Sequence, residues 1–315
     1  MKQMKRTLSL LILVMICGKA FPQDPHFTQY NNARMDVNPA FAGSDSTLDL
    51  SLNYRIQWPT INAYRSCFFA ADNYFSCLKG GLALICLHDN QLNGVITSSG
   101  IGFAYAPHIE LSGHKLVLQP GIQVSYFQKH IDMSKLTFGD MIDPRRGFVY
   151  SSNNVPRSDT KGYLDLSGGL LLYSTHFYGG AAMHHINQPE EGFFGASRLP
   201  YKITLHAGAN LPCGKASHLT LSPTVLYMRQ QDFYLLLPGM AAKYKSFVIG
   251  ISYRSEDAMI GTLAFQNRFL RIGYSYDYTV SKLTNEQTGG SHEIALSWFP
   301  VFKKGPGTRK ALRPI

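Results

Sequence analysis

Short segments of this chain place an apolar residue at every second position. Leu48, Leu50, Leu52 and Tyr54 alternate with Asp49, Ser51, Asn53 and Arg55. Leu116, Leu118, Ile122, Val124 and Tyr126 share one face of a later segment, with Gln119, Gly121, Gln123 and Ser125 on the other. Ile272, Tyr274, Tyr276 and Tyr278 oppose Arg271, Gly273, Ser275 and Asp277. Near the end, Ile294, Leu296 and Trp298 oppose Glu293, Ala295 and Ser297. A period of two with one apolar and one polar face is how a strand reads with lipid or a core outside and water inside.

The pattern predicts fourteen strands, near 47–55, 66–75, 80–88, 99–109, 115–128, 163–173, 175–184, 202–211, 218–228, 233–243, 246–254, 258–267, 270–279 and 291–299. The expected fold class is all-β, a transmembrane antiparallel β-barrel. The connections Ile56–Arg65, Asp89–Ser98, Lys129–Gly162, His185–Tyr201 and Val280–Gly290 are long, and those between them are short. Bacterial outer-membrane barrels sort long loops outward and short turns inward. That sorting puts Lys129–Gly162 outside and both termini in the periplasm.

Some positions strain the pattern. Pro120 and Pro223 fall on apolar strand faces, where each removes a ladder donor and predicts a bulge or broken pairing. The run Leu235-Leu236-Leu237 has no alternation. Gly179-Gly180-Ala181-Ala182 is weak as a strand and marks a place where another segment approaches the wall. Tyr54, Tyr126, Tyr173, Tyr227, Tyr253, Tyr278 and Trp298 are candidate interface aromatics.

The first twenty residues differ from the rest. Lys2, Lys5 and Arg6 precede an apolar run from Leu8 to Ile16, too short to span a bilayer, and Gly18-Lys19-Ala20 suits cleavage. The expected organisation is a signal peptide at 1–20, a periplasmic leader or plug at 21–46, a barrel at 47–299 and a basic periplasmic tail at 300–315.

The net charge of +10 changes meaning on this division. Lys2, Lys5, Arg6 and Lys19, with Lys303, Lys304, Arg309, Lys310 and Arg313, account for all but one unit of it. A near-neutral body is no phosphate-binding surface, so nucleic acid is not an expected partner. Only 16% of residues are charged, beside 18 tyrosines and 28 glycines, which suits a membrane barrel. Cys67, Cys77, Cys86 and Cys213 show no zinc spacing and read as structural thiols, with Cys67–Cys86 a conceivable disulfide.

Catalytic constellations are absent from the sequence. No nucleophile elbow, zinc motif or phosphate loop occurs. His184 and His185, as strand neighbours, should point to opposite faces and fail to share an ion. His88-Asp89 lacks an identifiable nucleophile. No cofactor or metal is expected. Arg55, Arg271, Asp277 and Glu293 are candidate lumen charges. Phe138, Asp140, Asp143, Arg145 and Arg146 are candidate contacts for cargo or partner in the long loop, or fold it through ion pairs.

Several separated motifs carry a family resemblance. Gln23-Asp24-Pro25-His26-Phe27-Thr28-Gln29-Tyr30, then Asn38-Pro39-Ala40-Phe41-Ala42-Gly43, resemble the amino-terminal signature of the PorP/SprF family of type IX secretion proteins. Tyr54-Arg55-Ile56-Gln57-Trp58-Pro59 and Leu136-Thr137-Phe138-Gly139-Asp140 are similar to its first loop and its long loop. His184-His185-Ile186-Asn187-Gln188-Pro189 and Gly290-Ser291-His292-Glu293-Ile294 match further on. The resemblance implies an outer-membrane, lipid-embedded component of type IX secretion or gliding machinery. It implies as partners a secreted cargo or surface adhesin and an OmpA-like periplasmic protein that grips peptidoglycan. A porin-like channel is the alternative, and a barrel enzyme ranks third.

Overall fold

The computed structural model describes residues 24–45, 47–111, 116–136, 141–143, 145–148, 159–193, 195–214, 218–281 and 284–300. The expected signal peptide, all of the tail from Val301, and the loop residues Phe138 and Asp140 lie outside the described residues.

Fourteen antiparallel strands form one closed ring. They are β1 (Asp49–Gln57), β2 (Tyr64–Phe75), β3 (Gly80–Gln91), β4 (Ile96–Pro107) and β5 (Leu116–Ile131). Next come β6 (Asp159–Tyr173), β7 (Phe177–His184), β8 (Lys202–Ala209), β9 (Leu219–Gln230) and β10 (Phe233–Tyr244). The last are β11 (Phe247–Arg254), β12 (Ala258–Gln266), β13 (Leu270–Thr279) and β14 (Ser291–Trp298). Each pairs with its sequence neighbour, and β1 closes on β14 from Leu50↔Trp298 to Gln57↔Ser291. A closed ring leaves no unpaired edge, as a bilayer demands.

The alternation sets the facing. On β13, Arg271, Gly273, Ser275 and Asp277 are buried, while Ile272, Tyr274 and Tyr278 are exposed on the outer face. On β14, Glu293, Ala295 and Ser297 are buried, and Ile294, Leu296 and Trp298 face out. Among the expected outer aromatics, Tyr54, Tyr126, Tyr253, Tyr278 and Trp298 are exposed. Tyr173 instead points inward, 6% exposed, with its ring 6.4 Å from His108. It shares the inward parity of Asp165, Ser167 and Leu171, which an aromatic at a strand end conceals.

The prolines break the ladder without a bulge. Tyr105 pairs Ile122 and Ile109 pairs Leu118, so Pro107 and Pro120 face each other across an interruption that keeps its register. Pro223 does the same between the pairs Gly208↔Thr224 and Leu211↔Leu221.

The longest connections, 132–158, 185–201 and 280–290, all leave one end of the ring. The sorting is less complete than expected. Asp89–Ser98 is mostly strand, because β3 runs to Gln91 and β4 starts at Ile96. Residues 231–232 and 255–257 are tight turns at that same end.

Residues 24–45 occupy the interior. They include a one-turn helix, α1 (Arg34–Val37), and a 3-10 turn at Pro39–Phe41, capped by the Asn38 side chain, which accepts from the Ala40 amide. Their partners lie on β1, β2, β5, β6, β7, β8, β13 and β14, a set reachable only from inside. The wall is shaped to admit them. A Cβ on Gly81 would stand 2.0 Å from the Ala42 carbonyl oxygen, and one on Gly121 would stand 2.4 Å from the Ala40 nitrogen.

Candidate functional site

Arg55 and Glu293 face each other across the β1–β14 seam, and Asp277 lies on adjacent β13. Arg55 Nη2 meets Asp277 at 2.7 Å and Nη1 meets Glu293 at 3.4 Å. Arg254 reaches the same Asp277 at 2.8 Å. The leader completes this group. The Thr28 and Gln29 amides donate to Glu293 at 2.6 and 3.0 Å, and Asn53 donates at 2.8 Å. The Thr28 hydroxyl donates to Asp277 and accepts from Arg55 and Arg254. Arg55 is 1% exposed and Glu293 0%.

Three of the four expected lumen charges, Arg55, Asp277 and Glu293, therefore join one buried, ion-paired cluster. The Arg271 side chain stands apart near the start of β13 and makes no hydrogen bond or ion pair among the described residues.

A second cluster holds the other end of the leader. Arg34, the only Lys or Arg between residues 24 and 45, is bound by Asp45 at 2.9 Å, by Asp49 and by Asp72 at 3.7 Å. The Gly43 amide donates to Asp72 at 2.8 Å. Burial alone would lower the Arg34 guanidinium pKa; the carboxylates outweigh it and hold it above its ordinary range.

A third cluster binds the leader's start. Asp24 contacts His185 at 2.7 Å and Lys202 at 2.9 Å, and His185 also contacts Asp165 at 2.8 Å. Burial would raise the Asp24 carboxyl, but His185 and Lys202 prevail and hold it well below its usual value. Burial would lower His185, and Asp24 with Asp165 pushes it up to about 9.

The expectation that His184 and His185 face opposite ways fails here. His185 adopts φ 56°, ending the alternation, so both rings turn inside with centroids 6.4 Å apart. His184 meets the Val37 carbonyl at 3.1 Å. No group of three metal-capable side chains occurs among the described residues. His88 and Asp89 do diverge: Asp89 accepts from Ser66 inside, and His88 meets Ser99 outside.

Between the clusters the filling is largely apolar. Phe27, Met35 and Phe41 pack with Phe68, Ile85 and Leu171. Tyr30 and Val37 pack with Leu226, Leu235 and Leu237. That explains the Leu235-Leu236-Leu237 run: Leu236 faces out while its neighbours cover the leader. Asn38 donates to the Leu170 and Ala181 carbonyls and meets His206 at 3.0 Å, beneath the glycine-rich stretch of β7.

The family described as type IX secretion system membrane protein PorP/SprF matches residues 20–298. The chain belongs to this family. A search of curated proteins finds no match. Among solved structures, the Pseudomonas putida toluene transporter TodX is similar at TM-score 0.48 and 9% identity, covering 88% of this chain and 98% of that one. Acinetobacter baumannii Omp33 is similar at TM-score 0.47 and 7% identity, covering 82% and 100%. These likenesses are distant, and the ladder itself establishes the barrel. The PorP/SprF membership and the closed ring together make this an outer-membrane β-barrel of type IX secretion, not a member of an enzyme family.

The separated PorP/SprF-like motifs meet in the interior. Asp24 and Thr28, Gly43, Arg55, His185 and Glu293 come from five of them, and all lie in these clusters. Sequence reasoning missed Arg34, Asp45, Asp72, Arg254 and Lys202. Their signal was charge at inward positions with no visible counter-charge.

The long-loop candidates divide. Phe138 and Asp140 are outside the described residues. Asp143 accepts from the Arg145 and Arg146 amides at 2.8 Å each, closing the tip of a small hairpin, Ile142–Asp143 with Gly147–Phe148. Both arginine side chains are exposed. The four described cysteines are free.

Proposed function

We propose that this barrel supports the export or surface attachment of specific large cargo proteins. The observation that carries the reading is the occupied interior: a leader bound by three ion-paired clusters acts as a plug, which disfavours a porin-like bore. Recognition then falls to the end with the long connections, facing outward, where Arg145 and Arg146 are presented. Short turns at the other end would meet an OmpA-like peptidoglycan-binding partner. Loops carry recognition when a rigid wall positions them.

The test is a deletion strain examined by quantitative surface proteomics and by small-solute uptake. Loss of a few large surface or secreted proteins with unchanged permeability is the expected result. An unchanged surface proteome with lost uptake would overturn the secretion reading and favour the channel.

A further inference from the structure

Beside the leader's first residues the interior is not filled. A cavity of about 90 Å³ lies at the end bearing connection 185–201. Its walls include Phe68, Ile85, Leu87, Phe127 and Tyr163.

The charged groups facing it do not balance. Lys129 is paired with Glu191 at 2.8 Å, Lys202 with Asp24, and His185 with Asp24 and Asp165. Two carboxylates remain. Asp89 accepts from Ser66 and Gln91, neither of them cationic. The Asp36 side chain, on α1, makes no hydrogen bond or ion pair among the described residues. Lys202, Asp24, His185 and Glu293 act on it through space only. Burial pushes its carboxyl up to about 6.

We propose that this cavity receives an arginine or lysine side chain carried on an extended segment of the exported partner. Its aliphatic stem lies along Leu87 and the aromatic wall, and its head meets Asp36 and Asp89. Both cationic residues bury an apolar stem while keeping the charged end on a polar group. A carboxylate on a largely apolar wall without a cation of its own is a charge that a guest cation would offset. Two carboxylates without a third ligand make a poor metal site, and the apolar wall matches a stem rather than a bare ion. The proposal rests on the secretion reading, since it assumes a protein partner at this mouth.

The test uses the full-length barrel in phosphatidylcholine nanodiscs, with empty nanodiscs as the blank. Acetyl-Leu-Arg-Leu-amide is titrated calorimetrically against its twin carrying neutral citrulline. The arginine peptide is expected to bind at least about tenfold more tightly, a difference of roughly 1.4 kcal/mol. D36N should abolish the preference. Where D36N fails to assemble, D89N, on the wall, carries the same test. Equal affinity for the two peptides, or no binding of either, overturns the proposal. So does a preference unchanged in the variant. Lost surface proteins in the deletion strain, without a peptide preference here, would leave the secretion reading standing and move recognition elsewhere.

Discussion

Replacing Arg55 by methionine distinguishes a filled barrel from a hydrated one by magnitude. The change removes a cation held 2.7 Å from Asp277 and 3.4 Å from Glu293. Asp277 keeps Arg254 at 2.8 Å, but Glu293 is left with no cation. It retains only the Thr28, Gln29 and Asn53 donors. Stripping one partner from a buried pair costs roughly 3–5 kcal/mol, because the survivor is a buried, uncompensated charge. In a water-filled lumen the same pair would be worth about 0–1 kcal/mol. The double variant R55M/E293Q removes the stranded charge and should recover most of the loss. The assay is the temperature at which the folded band converts to the unfolded one on semi-native gels, calibrated by urea titration in detergent. A large loss for R55M and a partial return for the double variant are expected. R55M melting like the parent, or a double variant worse than the single, would refute the account of a closed interior.

Three further outcomes follow from the same geometry. Gly121→Val should displace the leader, because even a Cβ falls 2.4 Å from the Ala40 nitrogen, and overpacking costs about 1–3 kcal/mol; a cysteine at Ala40 should then become labelled, and full protection would contradict this. The raised His185 value makes its ion pairs fully stabilising below about 6.5 and progressively lost as pH rises through about 9, a span worth about 3 kcal/mol; H185Q should flatten stability measured from pH 7 to 10, and an unchanged slope would assign it to other groups. A short epitope between Arg145 and Arg146 should be detected on intact cells, whereas detection only after permeabilisation would reverse the orientation.

The wall was legible because lipid and interior impose opposite demands on alternate residues, and that demand is local. Leu296 and Ser297 declare their faces within two positions. The interior was not legible for the opposite reason. Residues 24–45 have no period, and their partners lie far along the chain: Thr28 meets Glu293, and Asn38 meets His206. Inward charges on β1, β13 and β14 were visible, but their closure depends on a segment whose path no alternation encodes. His185 was misread because one left-handed residue cancels the strand rule at the point where it was applied. Leu235 and Leu237 looked anomalous only while the inside was taken to be water.

The leader begins beside Lys202, at the mouth with the longest connections, and ends beside Asp72, where β1 sets out in the reverse direction. Its hydrogen bonds bridge the two strands that meet last in the chain's own order. Asn32 contacts Asn53 on β1 and Ser297 on β14, and the Thr28 hydroxyl and amide reach Arg55 and Glu293. A ring sealed beforehand would offer this segment only end-on entry. The seam that joins the two ends of the sheet is thus riveted from within, by a segment of the same chain, as well as along its own ladder.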